Sequence, residues 1–128
     1  MIQKLSRAVA IDQSGVGWVQ VFHLYGGSRR RTTGVGGFVK GAVKSIAFYP
    51  KYIRGKRYRP TRQGHVVRGL LMEALFAQRF VDNTRVWALA NGLALIKKRG
   101  VFKAKHIQGC LVRTIRRRRY RAVFGELI

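Results

Sequence analysis

Acidic side chains are what this sequence has least of: Asp12, Glu73, Asp82 and Glu126 are its complete set, in 128 residues. They stand far apart, at no helical or strand spacing that would pair two of them. General acid–base chemistry and Mg²⁺ binding draw on convergent carboxylates, so no enzymatic activity and no catalytic residue is expected. Cys110 is the single cysteine, which excludes an internal disulfide. Without a Cys/His cluster or a CxxC pair, no metal site and no other cofactor is expected. No apolar run approaches the roughly 20 residues that a membrane-spanning helix requires, and no membrane partner is expected. The opening Met1-Ile2-Gln3-Lys4-Leu5 has neither an apolar core nor a small-residue cleavage site, so secretion is not expected.

Against four acids stand 27 Lys and Arg, a formal net charge of +23. A chain this basic repels itself unless a polyanion neutralises it. Hydrophobic residues make up 47% of the sequence, too many for a disordered basic tail. The length suits one domain with a modest core. Composition alone therefore describes a folded core in a cationic shell.

The first half reads as β. Trp18 to Tyr25 (WVQVFHLY) is aromatic and β-branched, is apolar on both faces as in a strand covered on both sides, and ends at the turn signal Gly26-Gly27. From Phe38 to Phe48 the pattern alternates, with Val39, Val43 and Ala47 on one face and Lys40 and Lys44 on the other. A barrel wall, dry inside and cationic outside, has this pattern. His65 to Leu75 (HVVRGLLMEAL) is a further strand candidate whose distal half also fits a helical turn. A shorter strand at Arg85 to Leu89 is entered through a turn at Asp82-Asn83. Beyond the basic turn Lys97-Lys98-Arg99-Gly100 the period changes. Ile107, Leu111 and Ile115 recur every four residues, predicting a short amphipathic helix. The expected class is mainly β: a small five-stranded β-barrel over about residues 1–95, with a short, basic, helical C-terminal appendage over about 100–128.

Three cationic groups are the candidate phosphate contacts. The first is Arg29, Arg30 and Arg31 at the tip of a glycine-rich loop that is not a dinucleotide fingerprint, because Val39 holds the third glycine position. The second is Lys51, Arg54, Lys56, Arg57 and Arg59, interleaved with tyrosines between Pro50 and Pro60. Each of those tyrosines equally suits stacking on a base or anchoring the loop to the barrel. The third is Arg116, Arg117, Arg118 and Arg119 near the C-terminus. Lys40 and Lys44 on the barrel wall join them. Arg outnumbers Lys two to one, favouring forked phosphate recognition over point charges. His23, inside a strand, reads as a packing residue; His65 and His106 suit solvent or RNA contact. His106 and Cys110 at i,i+4 would share a helix face, but no third group orients them, and Cys110 reads as packing.

Several short stretches, in order, resemble the universal large-subunit ribosomal protein L-fourteen family. They are Met1-Ile2-Gln3, Ala10-Ile11-Asp12-Gln13-Ser14-Gly15, Leu24-Tyr25-Gly26-Gly27-Ser28-Arg29-Arg30, Gly34-Val35-Gly36, Val66-Val67-Arg68, Arg79-Phe80 with Asp82-Asn83, and His106-Ile107-Gln108-Gly109. Gly37 stands where the family has an aspartate and Cys110 where a proline is usual. Residues 69–78 (GLLMEALFAQ) are apolar where the family has a basic ribbon, which predicts packing on a protein neighbour instead of RNA. The divergence points to a mitochondrial ribosome, with another organellar or a bacterial-type ribosome as the alternative. Lys4, Ser6 and Arg7, with no acid before Asp12, fit either a matrix-targeting segment or the family's opening strand.

The resemblance implies a structural role: binding large-subunit rRNA, contacting neighbouring large-subunit proteins (in the family, the third and the nineteenth), and bridging to small-subunit rRNA. It also implies that Lys105, His106 and Arg113 face the small subunit and offer a docking surface for a ribosome-silencing anti-association factor. Charge alone leaves one alternative, a non-ribosomal basic nucleic-acid-binding module. A cationic membrane-surface protein would need a long basic amphipathic helix, which the β-rich first half argues against.

Overall fold

The computed structural model describes residues 1–48, 61–98, 100–104, 106–109, 112 and 115 of the chain. Nine strands follow in order: β1 (Ile2–Gln3), β2 (Arg7–Ala10), β3 (Trp18–Leu24), β4 (Thr32–Thr33), β5 (Phe38–Val43), β6 (Val66–Glu73), β7 (Gln78–Arg79), β8 (Arg85–Val86) and β9 (Gly92–Ile96). Five of them close a barrel in the order β2-β3-β5-β6-β9. Each neighbour pairs antiparallel except the closing pair, where β9 runs parallel to β2 with Val9 opposite Gly92 and Ala10 opposite Leu93. The expected five-stranded barrel is present, and no helix occurs among the described residues. None there is long and apolar enough to cross a membrane.

Alternation decides the inside. Val19, Val21 and Leu24 of β3, Val39 and Val43 of β5, Leu71 of β6, and Leu93 and Leu95 of β9 are buried in one cluster that fills the barrel. On the opposite side of β6 and β9, Leu70, Met72, Ala94 and Ile96 form a second cluster. Phe102, Ile107 and Ile115 of the C-terminal segment pack against or within that cluster. This explains why β9 is buried at all five residues and shows no alternation in the sequence.

Several local expectations need correcting. β3 is not covered on both sides: Phe22 is 42% exposed, and a bulge between Val21 and His23 turns both Phe22 and His23 outward. β5 stops at Val43, because Lys44 and Ser45 both donate to the Trp18 carbonyl; Ala47 is exposed, and Ile46 packs on the core in its place. The distal half of β6 is strand, not helical turn. The segment 69–74 does not await a protein neighbour, since Leu70, Leu71, Met72 and Ala74 are buried within this chain. Beyond it, β7 and β8 form a separate hairpin. Its tip is the expected turn, with Asn83 at φ 65° and the Thr84 amide donating to the Asp82 carboxylate at 3.2 Å. Most of the expected C-terminal helix lies outside the described residues. Within it, Ile107 makes an antiparallel bridge with Asp12.

Asp12 fastens these parts together. It is 7% exposed. Its Oδ1 accepts from the Ser14 amide at 3.3 Å and from the Ser14 hydroxyl, and its Oδ2 accepts from the Leu95 amide at 2.8 Å. Burial pushes the Asp12 carboxyl above its ordinary value, opposed by the Ser14 and Leu95 hydrogen bonds and the Lys103 charge. Burial likewise raises half-buried Glu73 and lowers the Lys103 ammonium.

Asp12→Ala, which orphans the Leu95 N–H, is expected to lower unfolding free energy by about 1–3 kcal/mol in urea titrations. The two carboxyls titrate higher folded than unfolded. The stability they contribute is complete below the ordinary carboxylate range and is lost as pH rises through their raised values. Asp12→Ala should therefore flatten the fall of the urea midpoint just above that range.

Candidate nucleic-acid interface

The barrel leaves one set of strand positions pointing outward, and Arg7, Lys40 and Arg68 are the cationic residues of the barrel strands that occupy them. In register across three strands, His23 lies opposite Lys40 and Lys40 opposite Arg68. Neighbouring strands are about 4.8 Å apart, so the row spans roughly 10 Å. Like charges directly opposite one another repel, and the described acids do not answer this row. Asp12 is committed to Ser14 and Leu95, Asp82 to Thr84, and Glu73 sits beside Gly92 and Gly109.

Aromatic rings steady the row. The Arg68 guanidinium lies 5.4 Å from the Tyr25 ring centre, and His23 meets Tyr25 edge-on at 5.0 Å. Elsewhere on the wall, Arg7 lies 4.5 Å from the centre of the Trp18 ring. His23 is thus an exposed surface residue and not the core residue expected. Arg68, Tyr25 and Arg7 were not among the candidate contacts. The signal for Arg7 and Arg68 was their phase, since each precedes or follows a residue that packs inward.

The glycine-rich loop does not present three equivalent arginines. Arg29 and Arg31 are exposed. Arg30 folds back, donating from Nε to the Thr32 carbonyl at 3.1 Å and from Nη1 to the Tyr25 carbonyl at 3.2 Å. Its guanidinium fills the space where a Cβ on Gly26 would stand, and Gly26 has φ +108°, so the loop requires glycine there. Lys44 is exposed just past β5. His106 is exposed and its carbonyl accepts from the Gln13 amide at 3.3 Å. Lys51, Arg54, Lys56, Arg57, Arg59, Lys105, Arg113, Arg116, Arg117, Arg118 and Arg119 lie outside the described residues. Among the described residues no group of three or more His, Cys, Asp or Glu is placed to hold a metal ion.

A closed β-barrel with a cationic outer row, no convergent carboxylates and a glycine-rich arginine loop meets a close match in known sequences. The family model described as ribosomal protein L14p/L23e matches residues 1–125. The chain belongs to that family. Large ribosomal subunit protein uL14m of Tetrahymena pyriformis is 29% identical over 124 residues, covering 97% of each chain. Protein uL14m of Nyctotherus ovalis is 29% identical over 125 residues, covering 93% of each. Protein uL14 of Mesomycoplasma hyopneumoniae (strain 7448) is 28% identical over 120 residues, 94% of this chain and 91% of that one. The chain is a ribosomal protein, structural and not enzymatic, and it is of the mitochondrial uL14m type.

Arg29 and Arg31 differ from Arg30 in a measurable way. Replacing Arg29 and Arg31 together with Ala is expected to shallow the log–log salt slope of RNA binding by about 0.7–0.9 for each phosphate no longer neutralised, with little change in melting temperature. Arg30→Ala should in addition lower the melting temperature, because it removes the brace across the loop.

Proposed function

We propose that this uL14-type protein is built into the large subunit of the mitochondrial ribosome, binds its rRNA through the cationic barrel wall and loops, and contributes to a bridge with the small subunit. The observation that carries this reading is a +23 chain in which Asp12 and Asp82 are committed to hydrogen bonds within its own fold and Glu73 is half-buried. Such a surface favours an external polyanion over small counterions, and rRNA presents phosphate at high density. The contacts are assigned to Arg29, Arg30, Arg31, Lys40 and Lys44, together with the 51–59 and 116–119 groups. Recognition would be mainly of shape, because the A-form major groove is too narrow for side chains to read.

Protein partners are assigned to a different surface. The β7–β8 hairpin and its flanks expose Leu75, Phe76, Val81, Trp87 and Leu89, between 55% and 106% of each residue. So much apolar surface on a chain of this charge suits a neighbouring protein better than RNA. The third and nineteenth large-subunit proteins, suggested by family resemblance, are the assigned neighbours. The segment containing Lys105, His106 and Arg113 is assigned to the small-subunit rRNA bridge and to an anti-association factor. Family membership leaves the alternative of a non-ribosomal nucleic-acid module without independent support.

Sucrose-gradient fractionation of mitochondrial extracts tests the reading: the protein should sediment with the large subunit, and recovery only in free fractions would refute it. A Trp87→Ser, Leu89→Ser variant should keep its affinity for naked rRNA. It should be depleted from assembled subunits by several-fold in quantitative mass spectrometry.

A further inference from the structure

Next to the cationic row the fold opens a cleft of about 370 Å³, lined by Tyr25, Gly26, Arg30, Thr33, Gly34 and Phe38 among others. That is within the roughly 300–1,000 Å³ of clefts that take small ligands. Tyr25 belongs to both features, since it lines the cleft and also carries Arg68 and His23 against its ring. Arg30 spends Nε and Nη1 on backbone carbonyls, which fixes its plane and keeps the Nη2 hydrogens for an anion.

Gly34 borders the same open space. Its backbone lies outside the left-handed region, and a Cβ built on it would meet nothing within 4 Å. Gly26, one wall away, is different: a side chain there would collide with Arg30. Nothing of the described fold occupies the place of a side chain at position 34, and Gly34 lines the cleft, so its backbone is open to a ligand there. Glycine permits such a close approach of backbone and ligand.

We propose that this cleft receives a single splayed-out nucleotide of RNA, its base against Tyr25 and its flanking phosphates on Arg30, Lys40 and Arg68. The inference rests on the rRNA-binding reading and adds to it a site for one unstacked nucleotide. Bulged and looped nucleotides are the parts of RNA whose bases stack on aromatic rings and arginine planes. A fully paired duplex offers none, so the site discriminates structured rRNA from a plain helix.

The test uses the full chain, titrated at several salt concentrations with deproteinised large-subunit rRNA and with a fully paired RNA duplex. Gly34→Leu removes no charge and fills the cleft. It should weaken rRNA binding about tenfold, the worth of one stacked base, with Gly34→Ala intermediate. The log–log salt slopes should stay parallel to wild type, and duplex affinity should not change. Tyr25→Leu, which leaves the glycine in place, should lose a comparable factor at unchanged slope, and it decides the matter if Gly34→Leu proves unstable. The site is refuted if both variants bind rRNA like wild type, or if rRNA and duplex affinities fall together. Failure of the wild-type chain to prefer rRNA over duplex would instead overturn the rRNA reading itself.

Discussion

The structure depends on one closure. The Val9 and Ile11 amides donate to the Asn91 and Leu93 carbonyls at 2.8 and 3.0 Å, joining β2 to β9. Asp12, at the end of that seam, holds the Leu95 amide and bridges to Ile107. Without the seam the sheet has two open edges, and the inward phase of every strand is exposed to water. With it, the phase is fixed all round: each residue next to a core position is directed outward. The placement of His23, Lys40 and Arg68 in a single row is a by-product of packing Val21, Leu24, Val39 and Leu71 inside.

That row has an energetic meaning. Cross-strand neighbours of like sign oppose sheet formation by tenths of a kcal/mol each, up to about 1. Here the cost is carried by the apolar interior and softened by the Tyr25 ring beneath Arg68. The fold thus holds repelling groups at fixed spacing before any partner arrives. Preorganisation of this kind reduces the ordering that binding must otherwise supply.

How much of this was legible beforehand follows from pattern strength. β3 and the start of β6 were readable as β-branched and aromatic runs bounded by turn residues, and β5 by its alternation. The Asp82-Asn83 turn announced itself by residue type. β9 was not readable: Gly92 to Ile96 is buried on both sides, so its five residues carry no period. Residues 69–74 were misread for a related reason, since an apolar run states that something covers it but not whether that cover is its own chain. The bulge at Phe22 and His23 shifted a residue expected inside to the surface, and no local sequence signal marks a bulge. Of the proposed interface, the arginine loop and Lys40 were visible from charge density. Arg68 carried only its phase, and Tyr25 and the cleft at Gly34 emerge only when the strands are placed side by side.

The parallel seam also bears on biogenesis. Its two strands are separated by most of the chain, so a nascent polypeptide shorter than about ninety residues presents unpaired edges on β2 and β6. Such edges invite pairing between copies. A strongly cationic exterior keeps unfinished chains apart by mutual repulsion, so the charge that later meets RNA also acts earlier, as a guard against self-association during synthesis.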